Sequence, residues 1–102
     1  MQQIHPSQLA TAVNVPGVVL VDFFTPTCQP CTQIPPMLQE VERATGAPTY
    51  KVDMTQDMDQ AVLLGIRTVP TVLVYKNGVE VNRSVGVPAS AQHFVSLVRG
   101  AS

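Results

Sequence analysis

The stretch Val18-Val19-Leu20-Val21-Asp22-Phe23-Phe24, running through Thr25-Pro26-Thr27 into Cys28-Gln29-Pro30-Cys31, decides how the chain reads. Its first seven residues are rich in β-branched and aromatic side chains and show no polar alternation. A continuous apolar run of this kind, ended by a proline, is the pattern of a central strand buried on both faces. Beyond the cysteines, Ile34, Met37, Leu38, Val41 and Ala44 fall at helical spacing, which predicts a helix from about Cys31 to Ala44. Pro35-Pro36 predicts a kink or restart near its first turns, and Gly46 its end.

Towards the N-terminus, Gln8, Leu9, Ala12 and Val13 predict a short helix with Ser7 as its N-cap. Asn14-Val15-Pro16-Gly17 breaks it. Towards the C-terminus, Thr49 to Met54 alternates like a strand, and Met58 to Leu64 reads as a helix closed by Gly65. Thr71 to Lys76 is a strand, Asn77-Gly78 a hairpin turn, and Val79 to Val85 the returning strand, ended by Gly86. Ala91, Phe94, Val95 and Val98 share one face of a last helix, Ala89 to Arg99. The order is α-β-α-β-α-β-β-α. Residues 18–54 form a βαβ unit, which requires a parallel pair, whereas the hairpin must be antiparallel. An α/β fold with a mixed central sheet and helices on both faces buries all of it.

A chain of 102 residues, 45% of them apolar, suits one domain spanning 1–102. Six Lys and Arg against seven Asp and Glu give a net charge of −1, and no cationic run exists, so no nucleic-acid partner is expected. The seven-residue apolar run falls far short of the ~20 residues of a membrane span. Met1 to Ser7 lacks the cationic and apolar regions of a secretory signal, so a cytoplasmic, membrane-free protein is expected.

Cys28 and Cys31 are the only cysteines. A bridge between them closes too short a loop to stabilise much, so stapling does not account for the pair. Disulfide exchange does. It needs a thiolate to attack a disulfide sulfur and a second thiol close enough to release the mixed disulfide. A C-x-x-C turn entering a helix places the first sulfur by free N–H groups and the positive end of the helix dipole. Cys28 is therefore the candidate nucleophile and Cys31, one turn on, the resolving thiol. Pro30 suits a first helical turn, where no N–H is needed. Zinc would want about four ligands, and His5 and His93 lie near opposite ends of the chain. An iron–sulfur cluster would need thiolates from two chains.

Asp22 lies inside the apolar run, where desolvation raises a carboxyl pKa. A base poised in that way could take the proton from Cys31 as it attacks; the plainer reading is a buried Asp that bonds a turn. Asp53, Asp57 and Asp59 lack the spacing and glycine of a calcium loop and read as a solvated helix start, with Asp57 or Asp59 favouring the dipole. Tyr50, Tyr75, Phe94 and the four methionines read as core or half-buried packing.

These blocks together resemble the thioredoxin family from about Val18 to Val98. The matching segments are Val21-Asp22-Phe23, Cys28-Gln29-Pro30-Cys31, Pro36, Gly65-Ile66-Arg67-Thr68-Val69-Pro70-Thr71, Lys76-Asn77-Gly78 and Val85-Gly86-Val87. The resemblance implies a thioredoxin fold and a thiol–disulfide oxidoreductase that reduces protein disulfides through Cys28 and Cys31. It implies a cis bond between Val69 and Pro70, in a loop whose backbone pairs with substrate beside the cysteines. Gln29, Pro30, Thr68, Val69, Pro70 and Gly86 are thereby candidate substrate-binding residues. It gives Asp22 the role of base, and Lys51 matches a lysine close to that carboxylate. No bound cofactor is implied; the Cys28–Cys31 disulfide would be re-reduced by an NADPH-dependent thioredoxin reductase, and a monomer is expected. Departures from the family pattern bear on potential and substrate range: Gln29 replaces the usual Gly, Thr27 the usual Trp before the first Cys, and Thr68 a frequent Gly. Phe24 also stands where a second Trp is frequent. Two alternatives follow, a more oxidising disulfide donor or isomerase and a non-catalytic interaction module of the same fold.

Overall fold

In the computed structural model, which describes Met1–Ser102, the apolar run forms strand β2 (Val18–Phe24) at the centre of a five-stranded sheet. The other strands are β1 (Gln2–Ile4), β3 (Thr49–Asp53), β4 (Thr71–Lys76) and β5 (Val79–Val85), in the spatial order β1-β3-β2-β4-β5. β2 runs parallel to β3 and antiparallel to β4, as a βαβ unit joined to a hairpin requires. Every residue of β2 except Phe24 is buried, because neighbours flank it on both edges and helices cover both faces.

Four helices complete the layers: α1 (Leu9–Val13), α2 (Ile34–Thr45), α3 (Met58–Leu63) and α4 (Gln92–Ala101). The sheet separates two apolar clusters. One joins Val19, Val21, Phe23 and Leu73 to Leu9 and Val13 of α1 and Ala61 of α3. The other joins Leu20, Val72 and Val74 to Ile34, Leu38 and Val41 of α2 and Phe94, Val95 and Val98 of α4. Alternation along β2 thus sends odd-numbered side chains to one layer and even-numbered ones, Asp22 among them, to the other.

Several local expectations are corrected. β1 was not expected; its three residues pair parallel with the outer edge of β3, which supplies the ladder that so short a segment cannot make alone. Ser7 is not the N-cap: a 3-10 turn, Pro6–Gln8, leads into α1, and His5 caps that turn, its ring Nδ1 accepting from the Ser7 N–H at 3.1 Å while the Gln8 side chain accepts from the His5 N–H. The helix after the cysteines starts as a 3-10 turn, Pro30–Gln33, and becomes α-helical at Ile34. Pro35-Pro36 therefore stands in the first α-turn, where missing N–H groups leave no bond unmade, and the restart precedes the prolines. α4 begins at Gln92, three residues later than its apolar face suggested. Asp53 is buried rather than solvated and accepts from the N–H and hydroxyl of Thr55, whereas Asp57 caps α3 through the Gln60 N–H. Of the methionines, Met58 is exposed.

The hairpin follows its turn signal. Asn77 and Gly78 have φ of 52° and 85°, the doubly left-handed turn whose twist matches paired strands. Three residues past Gly78 the register slips: Tyr75 faces Glu80 but Val74 faces Asn82, leaving Val81 as a one-residue bulge.

Candidate active site

Phe24 ends β2, and the chain turns through Thr25-Pro26-Thr27, closed by a Cys28 N–H bond to the Thr25 carbonyl at 3.2 Å. The next residues wind into the 3-10 turn, so Cys28 stands just ahead of a helical N-terminus. Pro30 has no N–H to give, which makes the Cys31 amide the first donor of that turn. It points at Cys28 Sγ, 3.2 Å away. The two residues are joined as a disulfide, with Cα atoms 5.3 Å apart. Cys28 is half-buried and Cys31 is only 4% exposed, so the first cysteine is the more open to the surface and the second is closed off.

Asp22 lies behind both. It is 1% exposed, and neither carboxyl oxygen has a hydrogen-bond partner in the protein. This excludes the plain reading of an Asp that bonds a turn. Burial pushes its pKa from 3.8 up to about 7, and the Lys51 ammonium pulls part of the way back. The sheet brings that lysine close, because Asp22 and Lys51 are direct partners in the β2–β3 register and so share a face. Lys51 Nζ also lies 5.4 Å from the centroid of the Phe24 ring, a contact that keeps the cation near the carboxyl. A cleft of about 150 Å³ connects the parts: Asp22, Cys28, Cys31 and Lys51 all line it, with Thr25 and Thr32 among its polar walls. Larger grooves exist elsewhere on the surface, but neither of the two largest contains a cysteine.

The Val69–Pro70 bond is cis, and Pro70 is buried. Both ends of its loop are tied down. The Thr71 hydroxyl donates to the Thr68 carbonyl at 2.7 Å, and the Gly86 N–H to the Pro70 carbonyl at 2.9 Å. Between these ties the N–H and carbonyl of Val69 make no bond within the chain, while Thr68 is exposed. Gln29 and Pro30 are exposed on the cysteine turn; the Gln29 carbonyl accepts from the Thr32 N–H and hydroxyl, which fixes the turn from behind. Sequence reasoning did not single out Thr25, Thr32 or Thr71. Thr25 shows itself only as a wall of the cleft, and the Thr32 and Thr71 hydroxyls only as ties within their own turns.

The histidines are engaged elsewhere, His5 as a cap and His93 with the Ser84 hydroxyl at 3.0 Å, and no three His, Cys, Asp or Glu side chains are placed to hold a metal ion together. No helix is long and apolar enough to cross a membrane.

Comparison with known proteins accords with this geometry. The thioredoxin family model matches residues 1–99. The chain is 38% identical to Bacillus subtilis thioredoxin over 81 residues, covering 78% of each, and 35% identical to Saccharomyces cerevisiae thioredoxin-1 over 92 residues, covering 88% of this chain and 89% of that protein. Its fold superposes on reduced Schistosoma mansoni thioredoxin pre-protein with a TM-score of 0.86 at 27% identity, covering 99% of this chain and 97% of the other. A paired C-x-x-C at the head of a helix, on this sheet and among these relatives, places the chain in the thioredoxin family, as a dithiol–disulfide oxidoreductase.

Proposed function

We propose that the protein works as a reductant of disulfides in other proteins, with Cys28 as the attacking sulfur. The carrying observation is the graded burial of the pair, Cys28 half-open and Cys31 closed, with the unpartnered carboxyl of Asp22 on the same cleft. The Cys28 thiolate attacks one sulfur of the partner, forming a mixed disulfide as the other partner sulfur leaves with the electron pair. Cys31 then gives its proton to Asp22 and attacks Cys28 Sγ. The Cys28–Cys31 disulfide forms, the second partner thiolate leaves, and two electrons have passed to the partner. The thiols themselves carry those electrons, so the chemistry calls for no bound cofactor.

The Cys31 N–H aimed at Cys28 Sγ favours negative charge on that sulfur, which supports its role as nucleophile. Lys51 holds the Asp22 pKa near neutrality instead of higher, where a base accepts and returns a proton with least cost. The free peptide groups of Val69, beside exposed Thr68 and the cis-proline, suit pairing with an extended partner segment, and Gln29, Pro30 and Gly86 are assigned to the same partner surface. Return of the disulfide to dithiol is assigned to an NADPH-dependent thioredoxin reductase, and the working form to a cytoplasmic, one-domain monomer.

The direct test is capture with Cys31→Ser. Accumulation of covalent mixed disulfides through Cys28, absent from the Cys28→Ser variant, is the expected result. Full insulin-disulfide reduction by Cys28→Ser would refute the assignment. The Cys28–Cys31 reduction potential, from equilibration in thiol–disulfide buffers, tests the direction: a value near cytosolic reductants fits a reductase, and a much less negative one a disulfide donor.

A further inference from the structure

The bulge in β5 has a chemical result. Residues three apart on a regular strand point to opposite faces. Because Val81 is looped out, Glu80 opposite Tyr75 and Arg83 opposite Leu73 point to the same face. There the Arg83 guanidinium meets both Glu80 carboxylate oxygens, at 2.7 and 2.9 Å. The same guanidinium donates to the Leu64 carbonyl at 2.8 Å and the Gly65 carbonyl at 3.3 Å, where the chain leaves α3 for the cis-proline loop. Gly65 has a φ of +72°, so its carbonyl is turned out of the helix and needs a donor from outside.

Strand β5 thus holds the Gly65–Pro70 loop at both ends. Arg83 fastens its start, and Gly86, just past the strand, fastens Pro70. We propose that Arg83 is a positioning residue for partner binding, setting through Leu64 and Gly65 where the free peptide groups of Val69 stand relative to the disulfide. Glu80 orients Arg83 by its two-point contact, a geometry that lysine cannot reproduce. This inference rests on the proposed use of that loop in holding protein partners.

The test compares wild type, Arg83→Ala, Arg83→Lys and Glu80→Gln in the full chain, with insulin as protein disulfide and a small aromatic disulfide as control. Arg83→Ala is expected to raise KM for insulin by roughly threefold to tenfold, the scale of losing charge-assisted bonds at a partly solvated site. Its kcat stays within about twofold, the signature of lost binding, not lost chemistry. Reduction of the small disulfide and the Cys28–Cys31 potential stay at wild-type values, while amides of Ile66 to Val69 exchange faster. Arg83→Lys falls between. An unchanged KM, or a small-disulfide rate that falls in step with insulin reduction, overturns the proposal. Should Arg83→Ala fail to fold, Glu80→Gln must raise KM in the same direction, and an unchanged value overturns it equally. If wild type reduces insulin while the variants match it, this inference alone falls; if wild type cannot reduce insulin, the functional reading fails and carries this one with it.

Discussion

Replacing Asp22 by Asn should stabilise the oxidised protein by an amount that depends on pH. The carboxyl has a folded-state pKa of about 7 against 3.8 as its ordinary value, because burial without a hydrogen-bond partner penalises its charged form. Below about pH 4 it is protonated in folded and unfolded chains alike, and no linkage arises. Between pH 4 and 7 the folded chain binds the proton and the unfolded chain does not, so stability falls as pH rises. Above about 7 the full penalty is present. At 1.36 kcal/mol per pH unit, the rise to about 7 corresponds to roughly 4 kcal/mol. Asn keeps the size and polarity but cannot ionise. The stability of Asp22→Asn minus that of wild type should therefore grow by roughly 4 kcal/mol between pH 4 and pH 8, or about 2 M in urea midpoint for an m-value of ~2 kcal/mol/M. Other carboxyls cancel in this difference; Glu42, held low by its Thr49 hydrogen bond, contributes with the opposite sign in both proteins. Urea unfolding at a series of pH values is the assay. Parallel stability curves for the two proteins would show that Asp22 is not a penalised buried charge.

The same substitution should slow release of the mixed disulfide on the order of a hundredfold at pH 8, the usual scale of a lost general base, read by rapid-quench kinetics of a preformed adduct. Lys51→Met removes the one cation that lowers the Asp22 pKa, so the pH midpoint of turnover should move upwards, as a pH–rate profile would show; an unmoved midpoint would separate Lys51 from the carboxyl. Phe94→Ala, in the fully buried centre of the α2–α4 layer, should cost about 3–5 kcal/mol in denaturant unfolding. Gly78→Ala forces a side chain into φ +85° with its Cβ 3.1 Å from Asn14 Oδ1, and should cost roughly 1–2 kcal/mol by the same measurement.

The elements legible in the sequence were those whose pattern is local. β2, β4 and β5 begin and end where their apolar runs and turn residues do, and Cys28, Cys31 and Asp22 could be read from spacing and burial alone. β1 could not, because Gln2 and Gln3 are exposed and only Ile4 is buried, so nothing but its neighbour marks it as a strand. The His5 cap was hidden because an imidazole is an unusual acceptor at that position, with a serine two residues later a commoner choice. The Val81 bulge was hidden for a different reason. Seven residues of β5 read equally well as regular strand, and the slip shows only when β4 is laid beside them. Glu80 and Arg83 were silent for the same cause, since their partnership exists only on one side of that slip.

The division of the interior into two layers has an evolutionary consequence. Asp22, the turn that carries the cysteines and helix α2 belong to the layer of α2 and α4, while the cis-proline loop hangs from Ile66 and α3 in the other. Substitutions within the first cluster bear on the surroundings of Asp22 and helix α2, and those within the second on the footing of the cis-proline loop. With the sheet between, the two clusters can drift separately, and only the exposed cysteine turn, through Gln29 and Pro30, joins partner contact to the first.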